Sequence, residues 1–116
     1  MSLISVRRLH KSHDIRLVTE EPATPLQVAC DIASLLTSER LGSFGSERGP
    51  YHDGSEIAYV TSEVGAVRWL RVMPTDSKTG RYYVVRAFFA SDREEDAVFG
   101  VLENVVLKRG RFYPFA

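Results

Sequence analysis

Residues 66–89 decide the fold of this chain, and they read AVRWLRVM, then PTDSKTG, then RYYVVRAFF. Two runs rich in valine and aromatic residues flank a segment of turn chemistry, which is the pattern of a β-hairpin. Side chains of the second arm alternate between two faces, and we expect the set without a charged residue to face the core. The uncharged set is Tyr83, Val85, Ala87 and Phe89, and the mixed set is Tyr82, Val84, Arg86 and Phe88.

The first arm of the hairpin does not define its own buried face. An arginine can lay its stem along apolar surface while its guanidinium stays in water. Either alternating set of this arm can therefore face the core, because each contains one arginine. The two sets are Val67, Trp69, Arg71 and Met73, and Ala66, Arg68, Leu70 and Val72.

The mixed side of the hairpin is the first candidate binding surface. Aromatic rings and guanidinium groups on an open sheet are what the bases and phosphates of single-stranded nucleic acid require. Cross-strand packing that shields a sheet uses the same residue types, and it is the commoner reason for them. The candidate residues are Arg68, Arg71, Tyr82, Arg86 and Phe88.

Length and composition indicate a single globular domain over residues 1–116. The 15 basic and 15 acidic side chains balance, so the chain lacks the overall positive charge of a dedicated DNA-binding protein. No apolar run approaches the roughly 20 residues of a membrane helix. The lone cysteine, Cys30, cannot form an internal disulfide, which fits a reducing compartment. We expect a cytoplasmic protein without membrane contact.

The N-terminal part of the chain predicts two strands and a helix. Residues 3–9 and 14–19 are β-compatible and are joined by a polar segment of hairpin-loop length. Thr24, Pro25 and Gln27 have the types and spacing of an N-cap, a first-turn proline and a capping-box glutamine. They predict a helix.

The predicted helix spans about residues 25–41 and has a broad apolar stripe. Gly42 follows it and is expected to take the left-handed position at its C-terminus. Cys30 lies within it and is expected to be a small packed residue rather than a nucleophile.

Residues 42–55 are rich in glycine and serine, and their composition predicts an irregular connection. Tyr51, His52 and Asp53 are weak catalytic candidates, because a histidine beside a carboxylate can act as a general acid or base. Hydrogen bonds within a turn explain the same trio equally well. The spacing of the histidines does not match a metal site, so no metal and no cofactor are predicted.

The second half of the chain predicts a further strand at residues 56–61 and a second helix beginning near Ser91. Its core stripe is expected to be Val98, Val101, Leu102 and Val105. The β-branched run from Asn104 leaves open whether residues 104–109 are helix or strand. The aromatic residues of the tail, Phe112, Tyr113 and Phe115, are expected to pack on the domain, a second copy or a partner.

The predicted order is ββ-α-βββ-α: an α+β domain in which two helices cover one face of an antiparallel sheet of about five strands. The leading hypothesis is a non-enzymatic binding module that uses the open sheet face, the glycine-rich loop and the aromatic tail. Its expected partner is another protein or a copy of itself in a homo-oligomer. The alternative is a small toxin-like protein that binds or cleaves RNA, in which sheet arginines contact phosphate and His52 or Tyr51 moves protons. Small bacterial accessory and toxin proteins share this size and outline, at the level of architecture only.

Overall fold

Six antiparallel strands form one open sheet, and two helices pack against it. The structure, a computed structural model, describes residues 3–9, 14–49, 56–62, 67–75, 79–87 and 92–108. The strand order across the sheet is β1-β2-β6-β5-β4-β3. The elements are β1 (Leu3–Leu9), β2 (Asp14–Thr19), α1 (Pro25–Ser38), β3 (Phe44–Arg48), β4 (Ala58–Ser62), β5 (Val67–Pro74), β6 (Tyr82–Ala87) and α2 (Asp92–Lys108).

Both helices share one core with the same face of the sheet. The prediction that Tyr83 and Val85 face this core is confirmed, whereas Phe89 lies outside the described residues. The first arm of the hairpin buries Leu70 and Val72. Because side chains alternate along a strand, this choice turns Arg71 away from the helices.

The start of α1 is as predicted. The Thr24 hydroxyl accepts a hydrogen bond from the backbone N–H of Gln27 at 3.2 Å, and the Gln27 side-chain oxygen accepts one from the Thr24 N–H at 2.9 Å. This reciprocal capping box satisfies two backbone donors that a helix start otherwise leaves unpaired.

The end of α1 differs from the prediction, because the helix stops at Ser38. The left-handed position beyond its C-terminus is taken by Arg40, with φ of 61°, and not by Gly42. The Arg40 N–H donates to the Thr37 carbonyl and the Leu41 N–H to the Leu36 carbonyl, both at 3.1 Å. This pair of bonds is a Schellman motif. Its two hydrogen bonds offset the modest cost of a non-glycine residue in this conformation.

The prediction that residues 42–55 are irregular is wrong for β3, which makes a sixth strand and extends the meander to four strands. Glycine and serine have weak β-propensity, so tertiary contacts decide this segment. The Phe44 ring lies 4.8 Å from the Trp69 ring, between centroids. The Phe44 N–H also donates to the Thr37 hydroxyl on α1 at 3.1 Å. The pairing with β4, the Trp69 ring of β5 and the contact with α1 together therefore hold β3 at the sheet edge.

The second helix continues to Lys108, which excludes the strand alternative for residues 104–108. Of the predicted core stripe, Val98 and Leu102 are fully buried, whereas Val101 and Val105 are half-buried. Arg8 of the edge strand β1 forms ion pairs with Glu95, at 3.4 Å between Nε and Oε1, and with Asp96. Because Glu95 is buried, these pairs fix the position of α2 along β1.

Tyr83 links the core to the start of α1. Its side chain is 1% exposed, and its hydroxyl lies within hydrogen-bonding distance of the Gly80 carbonyl, at 2.9 Å, and of the Ala23 carbonyl. Burial raises the pKa of this phenol above its ordinary value of 10.0, and the negative charge of Glu56 adds to the shift.

The core position of Leu36 predicts a large loss of stability on truncation. Leu36 is 0% exposed, so Leu36→Ala is expected to lower the free energy of unfolding by about 2–5 kcal/mol. The matched control is Leu41→Ala, since Leu41 is 40% exposed and should lose about 1 kcal/mol or less. Urea denaturation measures both values, and equal losses would contradict this core assignment.

The buried phenol of Tyr83 predicts a loss of stability in alkali. Because its pKa is higher in the folded than in the unfolded chain, the contribution of this phenol to the free energy of unfolding should be constant below about pH 10 and fall above it. Tyr83→Phe should lack this part of the alkaline decline and cost about 0.5–1.5 kcal/mol at neutral pH. Urea denaturation from pH 7 to 11 checks both. A decline in Tyr83→Phe equal to that of the wild type would refute the assignment.

Candidate binding surface on the open face of the sheet

The face of the sheet opposite the helices carries four arginines on four adjacent strands. Each alternates with side chains that contact the core or α2, so all four share the other face. The register places Arg7 of β1 directly opposite Arg16 of β2, and Arg71 of β5 directly opposite Arg86 of β6. We call Arg7, Arg16, Arg71 and Arg86 the arginine face.

One row of paired residues crosses five strands at the level of Arg86. It reads Asp14, Arg86, Arg71, Tyr59 and Glu47 in the order β2, β6, β5, β4 and β3. Two carboxylates therefore end a row that has two guanidinium groups at its centre. Asp14 and Glu47 are the only carboxylates that strand alternation places on this face among the described strand residues, so cations exceed anions there.

Asp14 and Arg86 form a two-point ion pair at one end of this row. Arg86 Nε lies 2.8 Å from Asp14 Oδ1, and Arg86 Nη2 lies 3.1 Å from Asp14 Oδ2. The Asp14 side chain is 11% exposed and that of Arg86 is 44% exposed. The hydrogen bonds to Asp14 raise the pKa of Arg86, so the guanidinium stays charged at every physiological pH.

The two arginine pairs break a general rule of sheet stability. Like charges directly opposite each other on neighbouring strands are destabilising, whereas opposite charges at the same positions are favourable. Real proteins tend to break such local rules at functional sites. The repetition of the same violation on one face makes this surface the leading candidate for a binding site.

The tyrosines on this face differ in accessibility. Tyr59 is 7% exposed, and a Cβ atom added at Gly49 would overlap its ring. Gly49 therefore covers part of the ring that a stacking base would need. Tyr82 is half-buried and lies beside Val18 of β2 in the adjacent part of the sheet.

The structure brings together some of the predicted site residues. Arg71, Arg86 and Tyr82 lie on one face. Arg68 lies in β5 opposite Thr61, and only its backbone is described. The remaining candidates lie outside the described residues: Tyr51, His52, Asp53, Phe88, Phe112, Tyr113 and Phe115.

The site residues predicted from the sequence do not include Arg7, Asp14 and Arg16. Their signal was the alternation of charged residues with Ile15 and Leu17 in β2, which marks a two-sided strand. That signal gives the face of β2 but not its neighbour, because the pairing of β2 with β6 joins residues about 70 positions apart.

The prediction that Cys30 is a packed residue is wrong, because Cys30 is exposed. It lies where α1 passes the edge strand β3, and its Sγ is 2.8 Å from the Ser46 hydroxyl. Cys30 also lines an open groove of about 440 Å³ beside Leu26 and Asp31. Neither Cys30 nor this groove belongs to the arginine face.

Three further findings concern membrane spans, metal sites and related proteins. In the part of the chain that the structure describes, no helix is long and apolar enough to cross a membrane. Within the same residues, no three side chains of histidine, cysteine, aspartate or glutamate come together as metal ligands. No family model, curated protein or solved structure matches the chain.

The opposed arginines predict a variant that gains stability. Arg7→Gln removes the like-charge contact with Arg16 and is expected to raise the free energy of unfolding by about 0.2–1 kcal/mol at low salt. The gain should shrink at about 1 M NaCl, where charges are screened over a few ångströms. Arg93→Gln, at an exposed position on α2, is the control with the same change of net charge. Destabilisation by Arg7→Gln alone, measured by urea denaturation, would show that the two arginines do not repel each other.

Proposed function

We propose that this chain is a non-enzymatic binding module whose arginine face receives an acidic surface of a partner protein. The observation that carries the proposal is the like-charge register of Arg7 with Arg16 and of Arg71 with Arg86. An acidic partner would place carboxylates beside cations that the register brings next to one another. The arginine side chains would then contribute to affinity through charge-assisted contacts.

The charge distribution supports a local electrostatic site. The chain is neutral overall, whereas this face carries four arginines and two strand carboxylates. A local patch of one sign steers an oppositely charged partner toward one orientation. Arginine adds geometric selectivity, because its planar guanidinium can bind a carboxylate through two parallel hydrogen bonds.

A second copy of the chain is a poorer partner for this face than a different, acidic protein. A twofold contact uses the same patch on both subunits. Two arginine faces brought together in this way would oppose cation to cation. The predicted homo-oligomer would therefore have to use another surface, and the aromatic tail at Phe112, Tyr113 and Phe115 remains the predicted place for it.

A protein partner is favoured over RNA by the state of the tyrosines. Recognition of single-stranded RNA rests largely on bases stacked on exposed aromatic rings. Tyr59 is nearly inaccessible, which leaves Tyr82 as the partly exposed ring beside the arginines among the described residues. The face therefore offers charge but little stacking surface.

RNA binding or cleavage remains the second candidate, because the four arginines follow adjacent strands. The arginines form two adjacent pairs, Arg7 with Arg16 and Arg71 with Arg86, and phosphates could lie on each pair. The residues proposed to move protons, His52 and Tyr51, lie outside the described residues. The cleavage part of this candidate is a prediction from the sequence alone.

A titration by NMR tests the proposed function. We expect an oligoglutamate peptide in low-salt buffer to shift the Nε–H resonances of Arg7, Arg16, Arg71 and Arg86. The double variant Arg16→Gln/Arg71→Gln should bind the peptide at least about tenfold more weakly, as expected for the loss of two charge-assisted contacts. The control Arg40→Gln/Arg93→Gln changes two exposed arginines of the same charge elsewhere and should bind nearly as the wild type does.

Equal weakening in the two double variants would mean that only net charge matters, and it would refute a specific site. An oligouridylate in place of the peptide tests the second candidate. RNA would be favoured over a protein partner if the protein bound the oligouridylate more tightly than the peptide and if Tyr82→Leu abolished binding of the oligouridylate.

A further inference from the structure

We infer that Asp14 is a positioning residue of this binding module: it holds the Arg86 guanidinium so that the remaining N–H groups receive a partner's carboxylate. The inference rests on the proposed function of the arginine face. It assigns a role to the buried acid on this cationic surface.

The geometry supports positioning rather than simple neutralisation. Asp14 engages Nε and Nη2 of Arg86, at 2.8 and 3.1 Å, and so fixes the plane of the guanidinium through one of its edges. The other edge carries donors that this pair does not use. Since the Arg86 side chain is 44% exposed, that edge can be reached from solvent.

Asp14 itself is suited to hold another group. Its side chain is 11% exposed, so its carboxylate is largely removed from solvent and lies on β2, directly opposite Arg86 on β6. Arg71 lies on the other side of Arg86, on β5. Asp14 thus binds the guanidinium from the β2 side, and the second cation lies on the β5 side.

A positioning residue strengthens binding by fixing a neighbouring side chain before the partner arrives. A long side chain that is fixed only on binding costs about 0.5–1.5 kcal/mol of conformational entropy, and one that is fixed beforehand avoids most of this. Two hydrogen bonds to Asp14 define the orientation of the Arg86 guanidinium in the unbound protein. Arg86 therefore serves as an anchor of the proposed interface.

The experiment compares two variants that remove the same charge from the same row of the sheet. Asp14→Asn and Glu47→Gln each remove one carboxylate, at opposite ends of the row that contains Arg86 and Arg71. Long-range electrostatics alone predicts that both variants bind the oligoglutamate peptide more tightly. Positioning predicts that Asp14→Asn binds it about two- to tenfold more weakly, whereas Glu47→Gln binds equally or more tightly.

A second readout separates positioning from a general loss of structure. Hydrogen exchange of the Arg86 Nε–H, followed by NMR without peptide, should be slow in the wild type and in Glu47→Gln and fast in Asp14→Asn. If Asp14→Asn does not fold, Arg86→Lys replaces it, because lysine keeps the charge but not the planar fork. Arg86→Lys is expected to weaken peptide binding by a similar factor.

The failures of the two proposals are distinguishable. Tighter binding by Asp14→Asn, unchanged exchange of the Arg86 Nε–H, or wild-type affinity in Arg86→Lys would each overturn the positioning role and leave the binding module intact. Absence of peptide binding by the wild-type protein at low salt would overturn both.

Discussion

The pairing of β2 with β6 is the constraint on which the rest of this structure depends. It joins the N-terminal hairpin to the four-stranded meander, and its residues are about 70 positions apart in the chain. Both ends of this seam are held by arginine: Arg86 binds Asp14 at one end, and Arg81 Nε donates to the Thr19 carbonyl at 2.9 Å at the other. Without this pairing the N-terminal hairpin would be an isolated two-stranded sheet, which is marginally stable at best in water.

The same pairing determines both faces of the sheet at once. With Leu17 opposite Tyr83, the apolar side chains of β2 and β6 fall under the helices. A shift by one residue would exchange the two faces, because side chains alternate with a period of two. The position of Arg16 and Arg86 on the open face is therefore a consequence of core packing, and the arginine face cannot change without the core.

The energies explain why the fold tolerates such a surface. A cross-strand pair of like charges costs about 0.2–1 kcal/mol, whereas burial of one leucine-sized side chain contributes about 1.5–3 kcal/mol. Core packing therefore determines the strand register, and the positions of the arginines follow from it. Exchange of Arg7 for a neutral residue would remove the cost of the Arg7–Arg16 pair alone. In the other pair, Arg86 is bound by Asp14, and four arginines still share this face with two strand carboxylates.

The sequence by itself determined the elements whose cause is local. The capping box at Thr24, the strand spans 3–9 and 14–19 and the burial of Tyr83 follow from neighbouring residues, and the structure agrees with them. Only the tertiary structure decided β3 and the assembly of Arg7 and Arg16 with the hairpin arginines. The physical reason is that these features depend on a partner distant in the chain: glycine-rich residues become a strand when β4 and a helix supply the contacts. Likewise, a charged strand face becomes a site when another strand is paired beside it.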